Sequence, residues 1–515
     1  MRIIFVYKGV NFMKYNIAIS GTFNVENYGD LMFPVIFKKA MEKRGLDFNL
    51  FLFSPERSCP KALDENTYVY SISEIDKLHS EHHFDTIVVG GGALVHYNKI
   101  VVKFPDSTEH TKYDITESWL YPIEFAMRNG IKLLFNLPQV PFPFDEVFKE
   151  ITQSAFNGCD YISFRDDISK QYLIDAYNNS NFPNIEVFPD SVCCMADLID
   201  KSELAKIRST VLPVDDNYAV LQFNPQKPQE DDQYLIQIVN TLKSQNLKVV
   251  LLPIGYTHND DFVLDQFNKN HNLNCELISK KLNIMETAAV LSGCEIYIGS
   301  SFHGAITAIA YGKKAISYNY ISPKNKNQEI FKMYDISNFV VDNAHEALIL
   351  LNDLYEGKIS FSPKIDKISS ILNQYFDDLL LKIKDEKSVS NNDYGKFVNA
   401  LIKLLPELSR LTREKTQLLA DLDNQKEYSV KLESIINQHL EHISNLENYC
   451  NSLEKSNQSL ENNNKDQYSY IRSIETALDA TEQQLINVQE AYNKIKNNLF
   501  IRIILYIKRL FIKKN

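Results

Sequence analysis

"IGSSFHGAITAIAYGKKAISYNY", residues 298–320, contains the end of an apolar run, a helical pattern and a second β-branched run. The helical pattern starts at His303, directly after small polar residues that suit a turn. A strand, a helix and a further strand in one short stretch are typical of a βαβ unit, in which the two strands are parallel. We therefore expect a parallel sheet that is covered by helices.

The same alternation of apolar runs and helical patterns extends over most of the chain. Five runs precede residue 200: "YNIAISGTF", "FDTIVVGGG", "IKLLFNLPQ", "YISFRD" and "NIEVFPD". The pattern restarts after Asp215 with "NYAVLQFNP", "KVVLLPIG" and "EIYIGS". We predict two doubly wound, Rossmann-like α/β domains, residues 14–200 and 201–385. Ligands are expected at the carboxyl edges of the strands, in the cleft between the domains.

The chain beyond residue 385 has a different character. Residues 386–398 are polar and are interpreted as a linker. From Leu408 to Leu499, a register of alternating steps of three and four runs without a phase break; most of its core positions are apolar, and others, such as Asn457 and Asn464, are polar. This register predicts a long coiled coil over residues 399–499, through which the protein self-associates. A solvated single helix is the alternative.

The last residues, 500–515, read "FIRIILYIKRLFIKKN" and mix apolar with basic side chains. A bilayer-spanning helix needs about 20 apolar residues, so this tail is too short and too charged to be an ordinary transmembrane helix. Its composition suits a helix that lies on an anionic membrane surface, with residues 499–515 in contact with the headgroups. A coiled-coil end that packs on itself is the alternative.

Composition excludes several classes of protein. The formal net charge of the 515 residues is -11 and no long basic stripe precedes the tail, which argues against a nucleic-acid partner. The seven cysteines contain no CxxC pair, so we predict no metal site and no disulfide framework. We expect a cytoplasmic protein that is peripheral on the inner face of the cell membrane. Translation is expected to start at Met13, with the preceding residues outside the fold.

Two glycine-containing loops follow strands of the first domain. In "SGTFNVENYGD", the turn residues are Gly21, Asn27, Gly29 and Asp30. Ordinary turn chemistry accounts for them equally well. In "VVGGG", the triple glycine Gly90, Gly91 and Gly92 lets a ligand or the other domain approach the backbone. The spacing does not match GxGxxG, so a dinucleotide site is not predicted.

Two charged or titratable side chains stand at strand ends. Arg165 follows the buried strand of "DYISFRDD", where it either pairs with Asp166 or Asp167 or clamps a carboxylate or phosphate. His303 is expected in the first turn of a helix that starts near Ser301, beside N–H groups that can bind an anion. A packed structural histidine is the alternative.

Taken together, these loops resemble the polysaccharide pyruvyl transferase family. The resemblance rests on "GTFNVENYGD", "VVGGG", "SFRDDIS", "VFPDS", "LLPIGYTHNDD" and "GSSFHGAITAIAYGKKAISYNY", and it covers roughly residues 14–330. It implies a two-domain fold of the GT-B type. It also implies transfer of the pyruvyl unit of phosphoenolpyruvate, as co-substrate and without a cofactor, to two hydroxyls of a sugar in a surface glycan or its precursor.

The resemblance also implies roles for individual residues. His303 would be the catalytic acid/base, a task for which a pKa near neutrality is suited. The donor would be bound by Arg165, Ser300, Ser301, Gly304 and Lys324. The acceptor side of the cleft would be lined by Gly21, Asn27, Gly29, Asp30, Gly90, Gly91, Gly92, Asp190 and His258.

One position departs from the family pattern. The family commonly has an arginine where this chain has Ser301 in "GSSFHG", and a hydroxyl cannot replace a guanidinium fork. Either a lysine supplies the charge, with Lys324, Lys313 and Lys314 as the candidates, or the donor is not phosphoenolpyruvate. Two other functions therefore stay open: a GT-B-like glycosyltransferase for an activated sugar, and a non-catalytic coiled-coil scaffold on the same fold.

Overall fold

The structure is a computed structural model, and the chain divides into two compact units, with the boundary after Ala400. It describes residues 14–63, 67–97, 99–103, 110–178, 181–212, 217–256, 259–320, 326–385, 394–404 and 470–484, together with residues 410, 425 and 486. Both predicted domains lie in the first unit. We call them the first lobe (residues 14–200) and the second lobe (residues 201–364).

The first lobe is built on a parallel sheet of seven strands in its described part. The strands of this lobe are β1 (Tyr15–Ser20), β2 (Phe48–Ser54), β3 (Val69–Ser71), β4 (Thr86–Gly90), β5 (Lys99–Lys103), β6 (His110–Asp114), β7 (Lys132–Asn136), β8 (Tyr161–Phe164) and β9 (Glu186–Val187). The order in the sheet is β3-β2-β1-β4-β7-β8-β9. Strands β5 and β6 form a separate antiparallel pair.

Helices connect these strands. They are α1 (Tyr28–Lys43), α2 (Ile75–His82), α3 (Leu120–Asn129), α4 (Lys149–Asn157), α5 (Asp167–Ala176) and α6 (Met195–Leu198). The next helix, α7 (Lys201–Val211), packs against the second lobe. A 3₁₀ turn over Ser191–Cys194 comes between β9 and α6. It contacts both α1 of the first lobe and a helix of the second lobe, so the lobes meet there.

The second lobe repeats the plan with a six-stranded parallel sheet in its described part. Its strands are β10 (Tyr218–Gln222), β11 (Lys248–Leu251), β12 (Glu276–Leu277), β13 (Ile296–Gly299), β14 (Lys314–Tyr318) and β15 (Val340–Val341), in the order β12-β11-β10-β13-β14-β15. Its helices are α8 (Asp232–Ser244), α9 (Asp260–Asn270), α10 (Ile284–Gly293), α11 (Phe302–Ala310), α12 (Lys326–Met333) and α13 (Ala344–Tyr355).

Burial of the central strands explains their apolar sequences. Every residue of β4, β7, β10 and β13 is buried, as a parallel sheet with covered faces requires. All pairings within the two large sheets are parallel. The prediction of two Rossmann-like domains in series, a GT-B-like plan, is therefore confirmed.

Strand order also locates the sites where ligands bind. In each sheet the order reverses between two central strands, β1 and β4 in the first lobe and β10 and β13 in the second. Ligands of doubly wound proteins bind beyond the carboxyl ends of the strands at this reversal. The loops that follow these four strands include the glycine-containing loops of the first lobe and the loop before His303.

One helix departs from the predicted domain boundary. Helix α14 (Ile365–Lys384) was assigned to the second domain by sequence, but it returns to the first lobe. The Tyr375 hydroxyl donates to Asn136 Oδ1 at 2.7 Å and lies 3.1 Å from Ser163 Oγ, at the ends of β7 and β8. Lys132 donates to the carbonyls of Ile383, at 2.8 Å, and Asp385. The return buries the apolar face of α14, which the sequence alone did not assign to a partner.

The C-terminal part is described only in segments. Residues 394–404 and 470–484 are helical, so residues 394–398 of the predicted linker at residues 386–398 are helical. Most of the predicted coiled coil, the basic tail and the residues before 14 lie outside the described residues, and these interpretations stay predictions. Among the helices that the structure describes, none has the length and apolar character that crossing a bilayer demands.

We expect Tyr375→Phe to destabilise the protein by about 1–3 kcal/mol, because it leaves buried polar groups of the first lobe without their partner. Urea unfolding followed by tryptophan fluorescence measures the change, since the single Trp119 is buried in the same lobe. Tyr68→Phe is the matched control, because Tyr68 is 39% exposed, and it should change stability by less than about 0.5 kcal/mol. Equal stability of both variants would contradict the docking role of Tyr375.

Candidate active site

The helix that carries His303 begins where the sequence predicts. Strand β13 ends at Gly299, and Ser301 is the N-cap of α11, with its Oγ accepting a hydrogen bond from the Gly304 N–H at 3.2 Å. Serine is a favoured N-cap because its side chain satisfies a backbone donor that the helix leaves open. His303 therefore lies in the first turn of α11, at the carboxyl edge of the second sheet.

The imidazole of His303 lies at the boundary between the two lobes. Only 8% of the residue is exposed. Its ring makes edge-on contacts with Phe302 of its own helix, at 4.9 Å between centroids, and with Phe33 of α1, at 5.8 Å. Close by, the Tyr28 hydroxyl of α1 lies 2.8 Å from Thr307 Oγ1 of α11. Helix α1 of the first lobe and α11 of the second thus pack directly against each other around the histidine.

Gly29 makes this contact sterically feasible. A Cβ atom at position 29 would lie 1.9 Å from His303 Nδ1, far inside van der Waals contact. Asn27 caps α1 and accepts a hydrogen bond from the Gly29 N–H at 3.0 Å, which fixes the first turn of the helix against the ring. Position 29 must therefore be glycine because the His303 imidazole occupies the space that a Cβ atom would need.

Asp190 is the carboxylate that faces His303. Asp190 Oδ2 lies 3.6 Å from His303 Nε2, slightly beyond an ordinary hydrogen bond, and Asp190 is almost fully buried. Its other oxygen accepts a hydrogen bond from the Val192 N–H at 3.0 Å. Burial raises the pKa of Asp190, but contact with His303, the charge of Arg165 and the Val192 N–H together lower it to about 2. Asp190 is thus a carboxylate at neutral pH.

Arg165 holds Asp190 from the other side. Arg165 NH1 donates to Asp190 Oδ2 at 2.9 Å, and NH2 donates to Gln139 Oε1 at 2.6 Å. The guanidinium also lies over the Phe302 ring, 5.2 Å from its centroid. Residues Arg165, Asp190 and His303, which are far apart in sequence, are therefore brought together. We call them the cleft triad.

The ion pair of Arg165 differs from the one expected. Asp166 caps α5 instead, with Oδ1 accepting from the Ser169 N–H at 2.7 Å, and Asp167 is an exposed residue of the same helix. Arg165 forms an ion pair, as one interpretation of the sequence expected, but its partner is Asp190, 25 residues further along the chain. Because two of the three guanidinium nitrogens are engaged by protein, donor binding by Arg165 stays a prediction.

The first-lobe glycines accommodate side chains of the protein itself. A Cβ atom at Gly92 would lie 2.6 Å from Asp30 Oδ1, and one at Gly91 would lie 2.2 Å from the Phe33 ring. Both glycines have a positive φ, +73° and +81° respectively, which disfavours other residues. The expected close approach is real, but the approaching group is α1 of the same lobe. Likewise, Gly21 faces the Phe23 ring and Gly90 faces the Asn136 side chain.

Gln222 is a site residue that sequence reasoning missed. It ends β10, is 2% exposed, and its Oε1 accepts hydrogen bonds from the backbone N–H groups of Ser300 at 3.0 Å and Ser301 at 2.9 Å. The predicted anion site at the start of α11 is therefore already occupied at these two amides. A polar residue at the end of an otherwise apolar run, "YAVLQ", was the available signal.

The remaining predicted donor residues have different outcomes. Gly304 packs where a Cβ would lie 2.8 Å from Ile254 and Tyr297 side chains, so its place is in the lobe interior. Lys314 begins β14 and pairs with Ile296, at the amino edge of the sheet, so the proposal of Lys313 or Lys314 as donor cations is wrong. Lys324 and the acceptor-side residue His258 lie outside the described residues.

Several buried polar atoms near the carboxyl edge of the first sheet have no hydrogen-bond partner among the described residues. They are the side-chain amide atoms of Asn24, Arg165 Nε, Asp166 Oδ2 and Ser191 Oγ. Buried polar atoms are normally paired, so their concentration beyond the strand ends indicates a place where a polar ligand or water binds. Asn24, in the loop after β1, was not singled out from the sequence.

Two Rossmann-like lobes that meet around a histidine and its charged partners define a protein of the GT-B-like class. The chain belongs to the polysaccharide pyruvyl transferase family, whose model matches residues 27–323, more than half of the chain. The match contains the whole cleft triad and ends one residue before Lys324. No curated protein sequence matches the chain.

Solved structures resemble the chain at low identity. UDP-GlcNAc 2-epimerase from Methanocaldococcus jannaschii is 14% identical with a TM-score of 0.48, over 72% of this chain and 100% of that one. The Neisseria meningitidis UDP-GlcNAc 2-epimerase is 11% identical with a TM-score of 0.47, over 72% and 100%. ADP-heptose LPS heptosyltransferase II from E. coli is 12% identical with a TM-score of 0.37, over 67% and 99%. Likenesses at this level do not define an activity.

Gly29→Ala should lower stability and displace His303, because the new methyl group would overlap the imidazole. Overpacking of this kind typically costs about 1–3 kcal/mol, which thermal unfolding can measure. Gly395→Ala is the matched control: Gly395 is also helical, its Cβ position is open, and alanine should stabilise an exposed helix by up to about 1 kcal/mol. A Gly29→Ala protein as stable as wild type would contradict the assigned contact.

Asp190→Asn should destabilise the protein by about 3–5 kcal/mol at neutral pH, because it leaves the buried Arg165 without its counter-charge. The pKa of Asp190 is lower in the folded than in the unfolded protein, so its contribution is complete above about pH 4 and is lost as the pH falls toward 2. Denaturant unfolding of both proteins between pH 3 and 7 should show the difference shrinking on the acid side. A difference that grows there would contradict this assignment.

Proposed function

We propose that the protein transfers the pyruvyl unit of phosphoenolpyruvate to two hydroxyls of a sugar in a surface glycan or its precursor. The product is a cyclic pyruvate ketal, and inorganic phosphate is released. The observation that carries the proposal is the cleft triad, in which a histidine on the family's second-lobe motif faces a buried carboxylate of the first lobe. Family membership supports the transferase class, and the donor and the ketal product are our inference.

Proton transfer is the task proposed for His303. One sugar hydroxyl adds to the carbon that carries the phosphate, while the methylene carbon of phosphoenolpyruvate gains a proton and becomes a methyl group. The second hydroxyl then displaces phosphate, which leaves with the second hydroxyl proton. His303 gives the proton to the methylene carbon and takes one from the attacking hydroxyl, as general acid/base catalysis requires.

Asp190 and Arg165 support this step by their charges. The carboxylate of Asp190 beside Nε2 stabilises the imidazolium form of His303, which is the form that gives up a proton. Arg165 keeps Asp190 ionised and in place, because a buried carboxylate without a cation would take up a proton instead. Holding the ring in one orientation also places its proton before the substrate arrives.

Phosphoenolpyruvate needs positive charge that Ser301 cannot supply. In this chain Ser301 caps α11 and does not take over the role of the family arginine. We propose Lys324 as the replacement cation, with the unpaired Nε of Arg165 as a second donor to the substrate carboxylate or phosphate. Asn24 would bind a hydroxyl, because its carboxamide offers both a donor and an acceptor.

A second candidate function is a non-catalytic scaffold that keeps the fold. Two observations favour it: the Ser300 and Ser301 amides are satisfied within the protein, and two guanidinium nitrogens of Arg165 bind protein partners. A third candidate function is a glycosyltransferase for an activated sugar. Tight binding of a nucleoside diphosphate without binding of phosphoenolpyruvate would favour the glycosyltransferase.

Phosphate release from phosphoenolpyruvate, assayed with lipid-linked and nucleotide-linked sugar acceptors, tests the proposal directly. His303→Ala should lower kcat by about 10²–10⁴, the usual contribution of a general acid/base. His345→Ala is the matched control, because His345 is an exposed histidine of the same lobe, and it should leave kcat unchanged. Activity that survives His303→Ala would exclude the histidine as acid/base, and a wild-type protein that releases no phosphate with any acceptor would favour the scaffold.

A further inference from the structure

The carboxamide of Gln222 is the centre of a buried hydrogen-bond network in the second lobe. Besides the Ser300 and Ser301 N–H groups, its Oε1 is approached by the hydroxyls of Tyr297 at 3.1 Å and Ser300 at 3.3 Å. A single amide oxygen thus joins β10 to the whole turn between β13 and α11. This turn carries the N-cap Ser301, and His303 follows two residues later.

Asp260 fixes the orientation of this carboxamide. Gln222 Nε2 donates to Asp260 Oδ2 at 2.8 Å, and the same carboxylate accepts from the Gly255 N–H at 2.9 Å. A carboxylate only accepts hydrogen bonds, so the NH₂ side of Gln222 must face Asp260 and the oxygen must face the amides of the turn. Asp260 is almost fully buried, in the first turn of α9. The residue that sets the orientation is therefore itself held by the adjacent loop.

The network places a neutral oxygen where a helix start would otherwise attract an anion. The N–H groups before α11 point toward Gln222 Oε1, which satisfies them without a charge. The turn is consequently held in one conformation in the absence of any ligand. The direction in which α11 leaves the turn, and hence the position of the His303 imidazole against Asp190, depends on this contact.

We propose that Gln222 is a positioning residue for His303 and that Asp260 sets the orientation of Gln222. The proposal rests on the proposed function, in which His303 transfers a proton. Gln222 acts through the turn and does not touch the reacting atoms. Its loss should therefore change the catalytic step more than substrate binding.

Gln222→Met replaces the carboxamide with an apolar side chain of similar length and removes both sets of hydrogen bonds. We expect kcat for phosphate release to fall at least tenfold while KM changes less than twofold. Asn268→Leu is the matched control, because Asn268 is a carboxamide of the same lobe that bonds both backbone groups of Cys275. It should lower the melting temperature without changing either kinetic constant. A Gln222→Met protein with wild-type kcat, or with a loss that appears only in KM, would overturn the proposal.

Gln222→Glu gives a second test that requires no catalysis. A protonated carboxyl group is close in shape to a carboxamide, so it can donate to Asp260 and accept from the Ser300 and Ser301 amides. An ionised glutamate side chain at position 222 would repel the carboxylate of Asp260, because two carboxylates in contact disfavour each other's ionisation. The phenols of Tyr297 and Tyr320 border the network, and burial raises the pKa of both, to about 12 for Tyr320, so they stay neutral.

Amide hydrogen exchange of the peptide that covers residues 298–305 is the measurement. In Gln222→Glu we expect near wild-type protection at pH 5 and faster exchange at pH 8, after correction for intrinsic exchange. In Gln222→Met we expect faster exchange at both pH values. Unchanged protection in both variants would overturn the positioning role, whatever the enzyme assay shows. If the exchange result holds and no phosphate is released by wild type, the network is real and the proposed function fails.

Discussion

The buried ion pair between Arg165 and Asp190 is the interaction on which the rest of the site depends. It joins the ends of β8 and β9 in the first lobe and keeps a charged carboxylate beside the histidine of the second lobe. Ion pairs of this kind are expensive to bury, and replacing them by apolar residues often leaves a protein equally stable. The presence of such a pair here fits a requirement for charge at this place. Phe302, which lies under the guanidinium and beside the imidazole, contacts both side chains at the same helix start.

Much of the fold could be predicted from the sequence, because fully buried parallel strands have near-continuous apolar runs that few other structures produce. The helix start at Ser301, the strand ends at Gly90 and Gly299, and the two-lobed plan all follow from local patterns. The return of α14 could not be predicted in this way. Its apolar face is visible in the sequence, but the surface that covers it is formed by β7 and β8, more than 200 residues earlier.

The candidate site could likewise be predicted only in part. His303 and Arg165 were identifiable because each follows a buried strand, and Asp190 was placed in the cleft by resemblance. The partners of these residues could not be identified from the sequence. The carboxylate that pairs with Arg165 and the side chain that accepts from the Ser300 and Ser301 amides both depend on how the ends of separate strands align. Gln222 is 78 residues before Ser300 in sequence. The glycines illustrate the limit in another way: the space they leave was predicted, but the side chains of α1 that fill it were not.

The return of α14 has a consequence for movement within the molecule. The chain passes from the first lobe to the second between Leu198 and Lys201, and it passes back between Tyr355 and Ile365. A body that is joined to another at two places has fewer ways to move relative to it than one that is joined at a single place. Any displacement of one lobe relative to the other must therefore be accommodated at both connections, which limits how far His303 can move from Asp190.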